Sequence, residues 1–210
     1  MDSANFQSAP SPNLLLVVSG SSGAGKDAVI DRMKELSVPV AHVVTATTRQ
    51  QRTGEVNGVH YHFLTVERFS DMVARGEMLE WASVYHNYYG VPRFAVIDAL
   101  SSGKDVVVKV DVQGAATIRA TVPGAVLLFI RPPSMDELER RLRNRRSESS
   151  AEIDVRLGKA VDEYGQLALF DYVITNHEGR LDEVVAAIRS IIVAEKHRVS
   201  PRRVELDCPD

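Results

Sequence analysis

The junction between Leu14 and Lys26 restricts the possible folds of this chain more than any other segment. Leu14-Leu-Leu-Val-Val18 is a continuous apolar run bounded by Ser19 and Gly20, the signature of a strand buried on both faces. Gly20-Ser21-Ser22-Gly23-Ala24-Gly25-Lys26 follows at once and matches the first seven positions of G-x-x-x-x-G-K-[ST]. Beyond it, Val29, Ile30, Met33 and Leu36 recur at the spacing of one helix face. Strand, glycine loop and helix in this order form an anion cradle. The loop backbone turns its N–H groups toward phosphate oxygens, the helix N-terminus adds positive potential, and Lys26 supplies a mobile cation for the β- and γ-phosphates. A glycine-rich turn with an exposed lysine is the plainer alternative, and it leaves the register of all three parts unexplained.

The eighth position departs from the pattern. Asp27 stands where a hydroxyl normally meets Mg²⁺, and Ala28 offers no substitute. A carboxylate is a hard oxygen ligand and could hold the metal directly or through its water. It could equally cap the helix start. Either way it sets a negative charge beside phosphates, which calls for a cation to offset it.

Strand-length apolar runs alternate with helical periodicity along the rest of the chain. Val106–Val112 and Val126–Ile130 read as further buried strands, with a short helix over Ala115–Ala120 between them. Tyr172–Thr175 is a fourth strand, and Leu181–His197 a closing helix with Val184, Val185, Ile188 and Ile192 on its apolar side. The pattern predicts an α/β fold of the P-loop NTPase type, three layers around a parallel central sheet. Two stretches interrupt it. Residues 45–91 hold half of the tyrosines and phenylalanines, the only tryptophan, Trp81, and turn signals such as Asn57-Gly58. Residues 134–166 are charged and helical, centred on Arg140-Arg-Leu-Arg-Asn-Arg-Arg146. One domain over 14–198 is therefore expected, with a core of 14–44, 92–133 and 167–198, insertions at 45–91 and 134–166, and flexible tails at 1–13 and 199–210.

Charge narrows the partners. With 25 basic against 28 acidic residues the formal net charge is -3, and the isoelectric point is about 6.1. A nucleic-acid binder held by bulk electrostatics is disfavoured, whereas a small anionic ligand bound by a local cation cluster is not. No apolar run approaches the ~20 residues of a membrane span. The N-terminal stretch has no basic start like that of a signal peptide, and the single cysteine, Cys208, has no intramolecular partner. These features suit a cytoplasmic protein with no membrane or nucleic-acid partner, whether monomer or homo-oligomer.

Further motifs sharpen the reading: Thr47-Thr-Arg49, Arg52-Thr-Gly-Glu-Val-Asn-Gly58 with Tyr61, Glu80-Trp81-Ala82, Asn87-Tyr-Tyr-Gly90 and Asp111-Val-Gln-Gly114. With these and the loop, the chain resembles the guanylate kinase family from about Leu14 to Lys196. The resemblance implies transfer of the ATP γ-phosphoryl group to GMP, with Mg²⁺ accompanying ATP. It implies a monophosphate-binding insertion at 45–91 and a lid at 134–166. Arg49, Arg52, Tyr61 and Tyr89 would grip the GMP phosphate, as two guanidinium forks and two phenols suit a doubly charged group. Glu80 would read guanine, whose N1–H and N2–H₂ can both donate to one carboxylate, while adenine would present a lone pair there. Thr45 would also face the base, and Asp111 the base and the metal. In the lid, Arg141, Arg145 or Arg146, and Arg156 would close over the transferring phosphoryl group, although a solvated helix with pairs such as Glu137 and Arg141 is the plain alternative. Asn176 would lie on the adenosine side.

Three positions leave the family pattern. Asp27 is one. Lys109 takes the first acidic place of an Asp-x-Asp-x-Gln-Gly strand end, so an acid has appeared on one side of the metal and a base on the other, and the two are expected to pair. Val91 replaces a hydroxyl expected to meet guanine O6, which would weaken GMP binding. Ribose 1,5-bisphosphate phosphokinase, whose loop also carries Gly-Lys-Asp, is the alternative enzyme; it has no use for Glu80. A non-catalytic guanylate kinase-like binding domain is the other alternative, and such domains usually lose the loop that this chain retains.

Overall fold

The computed structural model describes residues 11–84, 87–144 and 150–206. Strand β1 (Leu15–Gly20) is buried along its whole length, because it is the middle strand of a five-stranded parallel sheet. The strand order is β2 (Val40–His42), β7 (Asp105–Lys109), β1, β8 (Val126–Arg131) and β9 (Tyr172–Thr175). Alternate side chains of β1 feed two separate cores, as the two-residue period of a strand requires. Leu14, Leu16 and Val18 pack with Val29 and Met33 of α1 (Lys26–Glu35) and with Val184, Val185 and Ile188 of α7 (Leu181–Lys196). Leu15 and Val17 pack on the other face with Val96 of α3 (Arg93–Ser101) and Ala115 and Ile118 of α4 (Val112–Thr121). Each such aliphatic side chain contributes about 1.5–3 kcal/mol by leaving water, so the three-layer core fixes the loop that leaves β1.

Some boundaries differ from the sequence reading. The strand expected over 106–112 stops at Lys109, and Asp111 caps α4 by accepting the Gly114 amide at 2.8 Å. The helix therefore begins at Val112, three residues before the expected start. Leu36, placed on the apolar face of α1, is its C-cap and 41% exposed. The segment from residue 200, read as a tail, is described to residue 206 and is docked. Arg202 Nε and Nη2 donate to Glu195 and Asp171 at 2.9 and 3.0 Å, and Val204 and Leu206 rest on the second core.

The first insertion carries its own sheet, ordered β4 (His62–Phe63), β3 (Ala46–Thr47), β6 (Asn87–Pro92) and β5 (Met78–Val84). Helix α2 (Val66–Ala74), capped by the Thr65 hydroxyl, covers it through Phe69 and Met72. The second insertion is two helices, α5 (Met135–Arg143) and α6 (Ser150–Gly165), with a small core of Leu138, Leu142, Ile153 and Ala160. The Ser134 hydroxyl caps α5. Among the described residues, no helix is long and apolar enough to cross a membrane.

Candidate active site

Gly25 is the N-cap of α1 at φ 93°, a left-handed conformation that favours glycine, and a Cβ there would come within 2.5 Å of Asn176 Nδ2. The loop is thus wrapped tightly around the helix start. Lys26 Nζ donates to the loop carbonyls of Gly20 and Ser21 at 2.6 and 3.1 Å. Burial lowers its pKa to about 8, against the opposing pull of Glu163, Asp27 and Asp111. Asn176 is 4% exposed and donates to the Ala24 carbonyl at 2.8 Å. Expected on the adenosine side, it supports the phosphate loop through this bond.

Asp27 projects from the first turn of α1 toward the end of β7, where Lys109 Nζ donates to its Oδ1. The expected pairing of these two residues is present. Burial pulls the Lys109 ammonium down, but Asp27 and then Tyr61 outweigh it and hold its pKa above the usual value.

Thr47 and Thr48 fasten β3 to β6. The Thr47 hydroxyl donates to the Tyr88 carbonyl at 3.0 Å, and the Thr48 hydroxyl accepts the Tyr88 amide at 2.9 Å. This pinning sets Arg49 and Tyr89 on one side. Arg49 lies 5.7 Å from the Tyr61 ring centroid, and Tyr61 meets Tyr89 edge-on at 6.2 Å. Glu55 orders the pair of arginines by accepting from Arg49 Nη2 and from the Arg52 amide, both at 2.7 Å. Sequence reasoning passed over Glu55, although an acid three residues after Arg52 is the spacing of a turn-closing carboxylate.

Two joined cavities lie between this insertion and the core. The smaller, about 190 Å³, is lined by Glu80, Thr45, Tyr61, Tyr89, Asp111, Lys109 and Lys26, among others. The larger, about 840 Å³, shares Thr45, Tyr61, Tyr89 and Lys109 and adds Arg49, Arg52, Glu55 and Asp27. The small cavity therefore holds a carboxylate, and the large one two guanidiniums. Glu80 is 6% exposed. Burial, and secondarily Asp111, pushes its pKa up to about 8. Gly114 makes this possible, since a Cβ there would sit 2.5 Å from Glu80 Oε2. Glu80 lies in strand β5 and is buried, so it is not a solvated surface charge.

Val91, opposite Glu80 in the β5–β6 ladder, is fully buried among Leu79, Val96 and Val110, next to the pocket that Glu80, Gly90 and Val110 line.

The lid helices rest on the loop. Arg141 is tied to Glu137 at 2.8 Å and to the Asn176 carbonyl at 2.9 Å, and Arg156 Nη1 donates to the Ser22 hydroxyl at 3.0 Å. Arg145 and Arg146 lie outside the described residues. Glu163 of α6, also passed over in the sequence, is buried beside the loop.

Comparison with known proteins agrees with this architecture. A guanylate kinase family model matches residues 13–195. "Guanylate kinase 2, chloroplastic/mitochondrial" of Oryza sativa is 44% identical over 200 residues, covering 94% of this chain and 70% of that protein. A guanylate kinase of Carboxydothermus hydrogenoformans is 40% identical, covering 91% of this chain and 92% of its own. The crystal structure of guanylate kinase from Anaplasma phagocytophilum superposes with a TM-score of 0.70 at 29% identity, over 91% of this chain and 89% of that one.

Proposed function

The chain belongs to the guanylate kinase family, and on that premise we propose that it transfers the γ-phosphoryl group of ATP to GMP, giving ADP and GDP. One observation carries the reading: a buried carboxylate, Glu80, beside Lys26, and a guanidinium pair, Arg49 and Arg52, line two cavities that share Thr45, Tyr61, Tyr89 and Lys109. That layout suits a guanine monophosphate lying with its base on Glu80 and its phosphate on the two guanidiniums.

Each residue then has a physical task. The donors of guanine N1 and N2 satisfy Glu80, and Thr45 closes the pocket beside it. Arg49, held by Glu55, acts with Arg52, Tyr61 and Tyr89 to fix the acceptor phosphate in line with the donor. The loop from Gly20 to Lys26 holds the β- and γ-phosphates through backbone N–H groups, and Lys26 follows the charge as it moves. Arg141 and Arg156, which meet the loop from the lid, bring positive charge and exclude water. Such catalysis is positioning and electrostatics, with no covalent protein intermediate.

Mg²⁺ enters with ATP. Among the described residues no group of three or more His, Cys, Asp or Glu could hold a metal by itself. That suits an ion kept mainly by phosphate and water with one or two carboxylates, and Asp27 and Asp111 beside the loop fit the requirement. When bound, the ion offsets charge on the β- and γ-phosphates.

A coupled ADP-release assay with GMP, AMP and ribose 1,5-bisphosphate tests the whole reading. Turnover of GMP far above AMP is expected. Activity on the sugar phosphate alone would replace the proposal with the alternative kinase, and no turnover at all would favour a binding domain.

A further inference from the structure

Helix α6 turns one face toward the phosphate loop. Ile153, Arg156, Ala160 and Glu163 follow one another at three- and four-residue steps, so they share a side. Ile153 and Ala160 are buried in the lid core, and Arg156 reaches the Ser22 hydroxyl. Glu163 completes the row. It is 5% exposed, and its Oε2 has no hydrogen-bond partner. Burial is the largest influence on this carboxyl and, with Asp111, holds its pKa above the usual value; the Lys26 ammonium, then Lys159 and the Ser22 amide, pull the other way and place positive charge around it. Lys26 meanwhile spends its donors on the carbonyls of Gly20 and Ser21. A buried carboxylate oxygen without a partner is costly and uncommon, and calls for a functional explanation.

We propose that Glu163 is a residue of the donor-phosphate site that works against occupancy: its carboxylate lies beside Ser22 and Lys26, where a phosphate of ATP is to sit, and ATP must displace it. The idea rests on the assignment of this loop to the ATP phosphates. It makes the carboxylate a determinant of donor affinity. Only an anion with several charges, held by the loop amides as well as by Lys26, competes well against a carboxylate already tethered there.

Isothermal titration of ATP, and separately of inorganic tripolyphosphate, provides the test. E163Q should bind both at least about tenfold more tightly, as expected when a like charge close to the ligand is removed. E163D keeps the charge but is one methylene short of the loop, and it too should bind more tightly than the wild type. E183Q, on the exposed start of α7 and paired with Arg180, makes the same change in net charge and should bind as the wild type does. Unchanged or weaker binding by E163Q overturns the proposal. Tightening in E163Q with wild-type affinity in E163D also overturns it, because the effect would then be one of charge at a distance. K26M separates this from the underlying assignment. If K26M still binds both ligands normally, the loop assignment fails; if K26M loses binding while E163Q and E163D match the wild type, only the role of Glu163 fails.

Discussion

Lys109 Nζ rests on Asp27 Oδ1, joining the end of β7 to the first turn of α1 across the phosphate loop. The pair spans the place where the family pattern has a hydroxyl on the helix and an acid on the strand. Here the acid sits on the helix and a base on the strand, so the carboxylate has moved across the site and the pair is neutral where the family pattern carries one negative charge. With side-chain exposures of 30% for Lys109 and 75% for Asp27, simple stability from the ion pair is small. Its importance lies in what each partner would do alone. An unaccompanied Asp27 would repel the triphosphate, and an unaccompanied Lys109 would repel the metal.

A double-mutant cycle measures this dependence. K109D sets two carboxylates together and should lower kcat/KM for ATP about 30-fold, whereas D27S/K109D, which restores the family arrangement, should recover to within about threefold of the wild type. The coupling expected is about 1.4 kcal/mol or more, a factor of ten. Strictly additive effects in the ADP-release assay would show that the two positions are independent.

If Glu80 reads guanine as proposed, recognition is tied to a proton. With its pKa near 8 in the empty pocket, the carboxyl holds a proton at neutral pH, and guanine donors require the ionised form. Guanosine binding should therefore release a proton between about pH 6 and 8 and weaken as pH falls. Guanosine is the ligand of choice because the titration of a phosphate is absent. Calorimetry in two buffers of different ionisation enthalpy counts the protons. E80Q should release none, and should lose about 100-fold or more in kcat/KM for GMP, since the amide can accept from one guanine donor but faces the other with its own N–H₂. Buffer-independent enthalpies in the wild type would remove the linkage.

The same two buried groups give the fold a pH signature. The Glu80 pKa is raised in the native state, so its contribution is full below the unfolded value near 4.5 and is lost as pH rises to about 8. The Lys26 pKa is lowered, so burial of its charge burdens the fold below about 8, and this burden is relieved as pH rises toward 10.5. Melting curves should show E80Q gaining on the wild type from pH 5 to 8, and K26M gaining most below pH 8. A constant difference from pH 5 to 8 for E80Q, or from pH 8 to 10.5 for K26M, contradicts the assignment of that residue.

Glu55 touches no expected substrate atom, yet it holds Arg49 by a 2.7 Å ion pair with both partners largely buried. E55Q should raise the GMP KM about tenfold with kcat within about threefold, because the guanidinium remains but loses its fixed orientation. R49M, which removes the charge itself, should raise KM further and lower kcat as well. A change in kcat alone for E55Q would place its role elsewhere.

The parts read correctly in the sequence are those decided locally. Leu14–Lys26 needs no tertiary contact to identify, since apolar run, glycines and helical spacing are all in one segment. Lys109 and Asp27 could be paired because both depart from a pattern whose spatial layout is shared. Strand β2 escaped notice because it spans only Val40–His42 and follows Pro39. The burial of Val91 was not legible because its neighbours Tyr89 and Gly90 line the pocket, and only the packing of β6 against β5 and α3 encloses it. Glu163 looks like one more charge on a polar lid helix until α6 is laid on the loop. Helix propensity carries no information about which exposed-looking charge a distant segment will bury.

The C-terminal segment shows the same limit and offers a stability test apart from catalysis. Glu195, in the last turns of α7, is 1% exposed. Arg202 reaches back from a charged, proline-containing stretch to meet it at 2.9 Å and also meets Asp171 at 3.0 Å, while Tyr172 donates its hydroxyl to Glu195 at 2.8 Å. Asp171 in turn accepts the Leu127 amide of β8 at 2.8 Å and pairs with Arg119. Removing one partner of a buried pair leaves its counter-charge uncompensated, which typically costs 3–5 kcal/mol. Here Tyr172 and Arg198 remain beside Glu195, so R202A should cost somewhat less, about 2–3 kcal/mol, lowering Tm by about 5–10 °C for a domain of this size. R202M, which keeps the apolar stem, should lose nearly as much, because the missing element is charge rather than packing. Below the transition both variants should keep the wild-type KM for GMP and ATP. An unchanged Tm in R202A would mean that the docked segment adds no stability to the core.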